Sequence, residues 1–177
     1  MFFNKGVVGS ISALSGAQTI TMATKYKNLK VPVASFVATS AELGFGADYT
    51  YVLQTNPIST FQALAFQHMF CDFFQYKLFS IFEGVGAFGI KASAEIAGGG
   101  FCGLSPLSRH SISSNGANIE RDVADEKAVG ARVFVFLMGA GYERAAARLI
   151  EEGVAEGLFG ENTQIFLPEQ LIAGKFW

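Results

Sequence analysis

His68, Cys71, Asp72 and Gln75 stand at helical spacing and would bring an imidazole, a thiol, a carboxylate and an amide onto neighbouring turns of one helix. Side chains four positions apart on a helix face each other. Asp72 could therefore orient the imidazole of His68 and tune its basicity, as general acid–base catalysis requires. The sequence sets no nucleophile beside the pair, and a buried His68–Asp72 pair on an apolar helix explains the spacing without chemistry. A closed zinc site needs four ligands. His68, Cys71 and Asp72 would reach that number only if Cys102 or His110 folded back onto the helix, so no metal and no cofactor is expected. His68, Asp72 and Gln75 are instead candidates for the polar groups that orient a ligand in an apolar pocket. The chain has two cysteines; one bridge is arithmetically open to them, but Cys71, on an apolar helix face, is expected to be a reduced, buried thiol.

Gly84-Val85-Gly86-Ala87-Phe88-Gly89 spells G-x-G-x-x-G. A dinucleotide fingerprint needs a strand before these glycines and a helix after them, so that pyrophosphate meets the helix N-terminus. The residue pattern predicts the reverse, a helix before and a strand after, and the glycines then serve a turn. The loop also resembles the glycine-rich phosphate loop of protein kinases, but the chain lacks the His-Arg-Asp and Asp-Phe-Gly sequences that a kinase requires. Gly139-Ala140-Gly141 has the better context, strand then helix, yet Arg144 stands where a third small residue belongs, and Glu143 would repel an anion from the helix start. Ser108-Arg109-His110-Ser111 reads as a surface loop, and Asp122, Asp125 and Glu126 as capping and solvating residues.

The elements that must position these groups begin with a long helix, from about Thr60 to Glu83, roughly 36 Å at 1.5 Å per residue. Its apolar arc, from Phe61 through Phe70 and Phe74 to Phe82, is far wider than a surface helix needs. A membrane span is the competing reading there. Asn56-Pro57, Asp72 and Lys77 interrupt the apolar run, and each charge near a bilayer centre would cost about 2.5–3.5 kcal/mol. Residues 18–38 read as extended, because Ile20, Met22 and Tyr26 alternate with polar neighbours; Pro32 restarts a strand at Val33–Thr39. Residues 48–54 alternate in the same way, as do Ile90, Ala92, Ala94 and Ile96. Residues 105–118 look like a loop. Val133–Met138 reads as a buried strand and Tyr142–Glu152 as an Ala-rich helix stopped by Gly153, with one continuous helix over 125–152 as the rival.

Half of the residues are hydrophobic and 16% are charged, against about 25% charged in an ordinary soluble domain. Thirteen basic residues against fifteen acidic ones leave no surplus cation for phosphates, which speaks against nucleic acid as a partner. Eighteen phenylalanines are the main peculiarity. The expected architecture is a single α+β domain over 1–177, a mostly antiparallel sheet packed on the Phe-rich helix and the C-terminal helix. The expected role is a non-enzymatic subunit of a homo- or hetero-oligomer, held by Phe/Gly-rich interfaces at Phe70, Phe74, Phe176 and Trp177. Its partners would be protein subunits; membrane contact is not favoured. The alternative is a binder of an apolar small molecule between the 60–83 helix and the sheet. The N-terminal apolar run is diluted by Ser, Thr, Gln and Gly, so no cleaved signal peptide is expected and the cytoplasm is the default compartment.

Overall fold

The structure is a computed structural model, described here for all residues except 1–5, 7, 15, 41, 46, 99–100, 169–170 and 172–177. The chain divides into two compact units, residues 1–62 and 63–177, and each is treated by itself.

The first unit carries three short parallel strands in the order β1-β2-β3: β1 Ser10–Ser12, β2 Val33–Ser35 and β3 Val52–Gln54. Between β1 and β2 lies helix α1, Gly16–Lys27, where the alternation of Ile20, Met22 and Tyr26 suggests a strand. Burial follows the helical period instead: Thr19 and Ala23, four apart, are the buried residues. Thr21 and Thr24 donate their hydroxyls to the carbonyls of Ala17 and Ile20, one turn back, which is how a β-branched hydroxyl residue is accommodated in a helix. Ala23 and Ala38 pack with Leu43 of the short helix α2, Glu42–Phe45.

The second unit holds the larger sheet. Helix α3, Ser59–His68, passes into a π-helical turn over Met69–Phe74, which ends at Gln75 in the left-handed conformation with φ 56°. Four strands follow: β4 Leu78–Gly84, β5 Ser105–Ile112, β6 Val133–Leu137 and β7 Gln164–Phe166. They lie in the order β5-β4-β6-β7, every pair parallel. Helices α4 Ala87–Gly98, α5 Ile119–Val129 and α6 Glu143–Ala155 form the three crossovers. This is an α/β fold, and it corrects the expectation of a mostly antiparallel α+β sheet. Parallel neighbours need a long connection, usually a helix; of the three that supply it, the residue pattern predicts α6, suggests a strand at α4 and gives no sign of α5.

Each misreading has a local cause. The helix expected over 60–83 stops short because β4 occupies its last quarter. Residues Phe79 to Gly84 are all buried, so both faces of β4 are covered and no alternation distinguishes it from a buried helix. The strand expected at Ile90–Ile96 is α4, whose buried Gly89, Ala92, Ser93 and Ile96 recur at three- and four-residue steps. The loop expected at 105–118 contains β5. Pro106 is tolerated there because β5 is an edge strand, and the pairing with β4 slips at this point. The reading of 133–152 as strand, turn and helix holds. Gly153 is not the stop, however. It lies inside α6, where a Cβ would stand 2.2 Å from the ring of Phe159.

Alternation along β4 and β6 sends side chains to opposite faces. Phe82, Phe134, Phe136 and Met138 meet Ile119 and Val123 of α5 and Ala145 and Leu149 of α6. Phe79, Ile81, Val133, Val135 and Leu137 meet Ala92 and Ile96 of α4, with Phe70. Six phenylalanines (70, 79, 82, 134, 136 and 159) are buried in these two layers, each contributing about 1.5–3 kcal/mol on transfer from water. Much of the phenylalanine therefore serves the chain's own core.

Candidate functional site

The glycines of 84–89 have the context that the residue pattern denied them. Strand β4 runs into Gly84, and α4 begins at Ala87. Three different reasons for glycine follow. At Gly89 a Cβ would lie 2.3 Å from the carbonyl oxygen of Gly84 and 2.6 Å from that of Leu137, so the first turn of α4 rests directly on the backbones of β4 and β6. At Gly84 a Cβ would press on the Tyr142 ring at 3.0 Å. Gly86 starts the helix, its carbonyl accepting from the amide of Ile90 at 3.2 Å, and it has no side chain with which to cap the first turn.

The loop lies at the carboxyl ends of β4 and β6. From β4 the chain crosses to β5 on one side and then to β6 on the other. That reversal is the switch point, outside the strand ends, where open parallel sheets take ligands. The first turn of α4 contains no acidic residue, so the positive end of its dipole is left uncompensated there. The second glycine turn differs. Glu143 folds its carboxylate onto the amide of Gly141, at 3.0 Å to each oxygen. Beside the first loop, buried Glu83 accepts from Arg109 Nη2 at 2.8 Å and from Ser111 Oγ at 3.1 Å. The guanidinium offsets this carboxylate beside Gly84.

A second polar cluster lies between β5 and α5. Along β5, Ser108 and His110 point to the opposite face from Arg109 and Ser111. Glu126, with no exposed surface, accepts from His110 Nε2 at 2.9 Å and from Ser108 Oγ. Asp122, one turn earlier and also buried, stands 4.0 Å from His110 Nδ1 and accepts from Arg121 at 2.9 Å. Burial pushes the Glu126 carboxyl up, yet the hydrogen bonds from His110, Ser108 and Ser80, together with the attraction of the His110 ring, outweigh it and hold the group below its ordinary value. The His110 ring stacks on Phe82 with centroids 5.2 Å apart. Asp122 and Glu126 therefore pack inward rather than solvate, and Ser108–Ser111 is strand rather than surface loop. The i, i+4 spacing of the two acids was the available signal.

The residues singled out on the expected long helix are dispersed. His68 Nδ1 and Asp72 Oδ2 do pair, at 2.8 Å, but with side chains 59% and 68% exposed, so the pair is solvated rather than buried. Gln75 is exposed and closes the π-helical turn. It lines an open cavity of about 280 Å³ with Cys71, Lys77 and Cys102, and neither His68 nor Asp72 lines it. The pocket expected between a 60–83 helix and the sheet loses its premise with that helix. Phe70 has no exposed surface and packs against Phe79 and Phe166 at 5.4 and 4.9 Å, leaving nothing to offer a partner. Phe74 is half-buried and stacks on Tyr76. Phe176 and Trp177 lie outside the described residues. Cys71, expected as a free thiol, is bonded to Cys102. Among the described residues no group of three or more His, Cys, Asp or Glu is placed to hold a metal, and no helix is long and apolar enough to cross a membrane. Neither a protein-family model nor a curated protein sequence matches the chain.

Proposed function

We propose that residues 63–177 bind a phosphate-bearing nucleotide, with the phosphate on the Gly84–Gly89 loop. One observation carries this reading: a G-x-G-x-x-G sequence between a parallel strand and a helix, at the switch point of the sheet, with its third glycine under two backbone carbonyls. Amides of the loop and of the first turn of α4 would donate to phosphate oxygens, and the helix dipole adds its positive end. Tyr142, whose ring lies against Gly84, offers an apolar face to the ligand and a hydroxyl near Gly86.

Titration calorimetry with adenine and flavin mono- and dinucleotides tests the reading. Gly86→Asp is the informative variant. Aspartate is a good helix cap, and the nearest atom to a Cβ at Gly86 is the Tyr142 hydroxyl at 3.8 Å, so the fold should be kept or strengthened. Its carboxylate would occupy the amides and repel a phosphate. Binding that disappears in Gly86→Asp while the melting temperature holds supports the site. No binding by any of these nucleotides at millimolar concentration, or equal binding by the variant, overturns it.

A second reading, a subunit of a stable assembly held by apolar contacts, is favoured by a different surface. Phe73 is 80% exposed and Leu78 57%. Light scattering on the full chain tests it, and a monomer at micromolar concentration rejects it.

A further inference from the structure

The Cys71–Cys102 bridge joins residues 31 apart, and the span between them contains β4, the glycine loop and α4. Its two ends differ. Cys71, on the π-helical turn, is half-buried, whereas Cys102 is exposed. Cys102 also holds φ at +49°, a conformation that a Cβ disfavours. Both cysteines line the open cavity of about 280 Å³, and Lys77 lines it with them. A structural cross-link is usually sealed in the core. This one opens to solvent beside a cation.

We infer that this bridge is a thiol-exchange site, opened by a small thiol of the glutathione class. The incoming thiolate attacks Cys102 Sγ, forming a new sulfur–sulfur bond as the Cys102–Cys71 bond breaks, and Cys71 leaves as a thiolate. Lys77, at the same cavity, favours that negative charge. A second thiolate attacks the adduct sulfur of the reagent, giving the reagent disulfide and the Cys102 thiolate, so the two electrons that reduce the bridge come from two reagent thiols. Opening frees the chain at the two flanks of the β4–loop–α4 segment and lets Cys102 leave the left-handed region. The inference does not rest on nucleotide binding.

The test treats the folded full-length chain with reduced glutathione, quenches with acid and maps the adduct by peptide mass, with hydrogen exchange followed in parallel. The adduct should appear on Cys102 before any denaturant is added. Lys77→Gln should slow its formation about threefold, because the leaving thiolate loses its neighbouring cation. Amide exchange should rise across 78–98 and stay unchanged across 143–155. Adducts that form first on Cys71, or none until the chain is unfolded in denaturant, would overturn the inference. Nucleotide is absent throughout, so the result is independent of the proposed binding function.

Discussion

Replacing His110 by leucine removes the imidazole that faces Glu126 while keeping an apolar side chain on Phe82. Glu126 has no exposed surface, and its Oε1 already lacks a hydrogen-bond partner. After the substitution the hydroxyl of Ser108 still donates to it, but the ring N–H is gone. Breaking a buried charged pair from one side costs about 3–5 kcal/mol, because the remaining charge stays desolvated. The wild-type hydrogen bond at 2.9 Å accounts for about 1.5–3 kcal/mol of that range, as a bond to a charged group. Urea unfolding at pH 7 should show the loss as a lower midpoint at unchanged slope. The pH dependence should change as well. In the wild type the Glu126 carboxyl is held below its ordinary value. Its contribution is therefore complete above the unfolded-state pKa, about 4.3, and is lost as pH falls through the folded-state value. In His110→Leu the carboxyl loses the hydrogen bond of the imidazole while its burial stays, so its folded-state pKa rises and the variant should keep less of the stability that the wild type gains above about pH 4. His110→Leu combined with Glu126→Leu should recover most of the loss, since an apolar pair of similar volume avoids the desolvation. A single variant that loses less than about 1 kcal/mol and keeps the wild-type pH profile would refute the assigned pairing.

Two further substitutions probe the rest of the unit. Gly89→Ala places a methyl within 2.3 Å of one backbone oxygen and 2.6 Å of another; neither can rotate away, so α4 must shift off the sheet. A loss of about 3 kcal/mol in urea unfolding is expected, at the upper end of ordinary overpacking, and an unchanged midpoint would mean that α4 does not lie where described. His68→Ala should leave stability within about 0.5 kcal/mol of the wild type at any salt concentration, because an exposed pair on neighbouring helix turns contributes little. A larger loss would place His68 in a buried setting.

The candidate loop is legible as six letters, but its context is not. That context depended on the type of residues 78–84 and 87–98, and both runs are ambiguous by themselves. Leu78-Phe79-Ser80-Ile81-Phe82 continues the apolar run of the preceding helix. The left-handed Gln75, a conformation that local sequence does not demand of glutamine, ends the helical run ahead of them. The His110–Glu126 cluster was hidden differently. Its members lie 16 residues apart, and nothing in Ser108-Arg109-His110-Ser111 tells which face a helix will cover. The Cys71–Cys102 bridge likewise needs two turns at opposite ends of a strand–helix unit to meet.

Local chemistry settled the pieces whose signal lies within one element. Val133–Leu137 is a strand because its β-branched and aromatic residues favour one over the rival helix. The Ala145, Ala146 and Leu149 face of α6 follows from helical spacing, and the start of β2 at Val33 follows from Pro32, which has no amide to give to a ladder. Tertiary structure decided strand direction, strand order and which glycines matter. Whether two strands run parallel depends on what connects them across the sheet, and the need for a bare Cα at position 89 exists only because the carbonyls of residues 84 and 137, distant in the chain, converge on the same point.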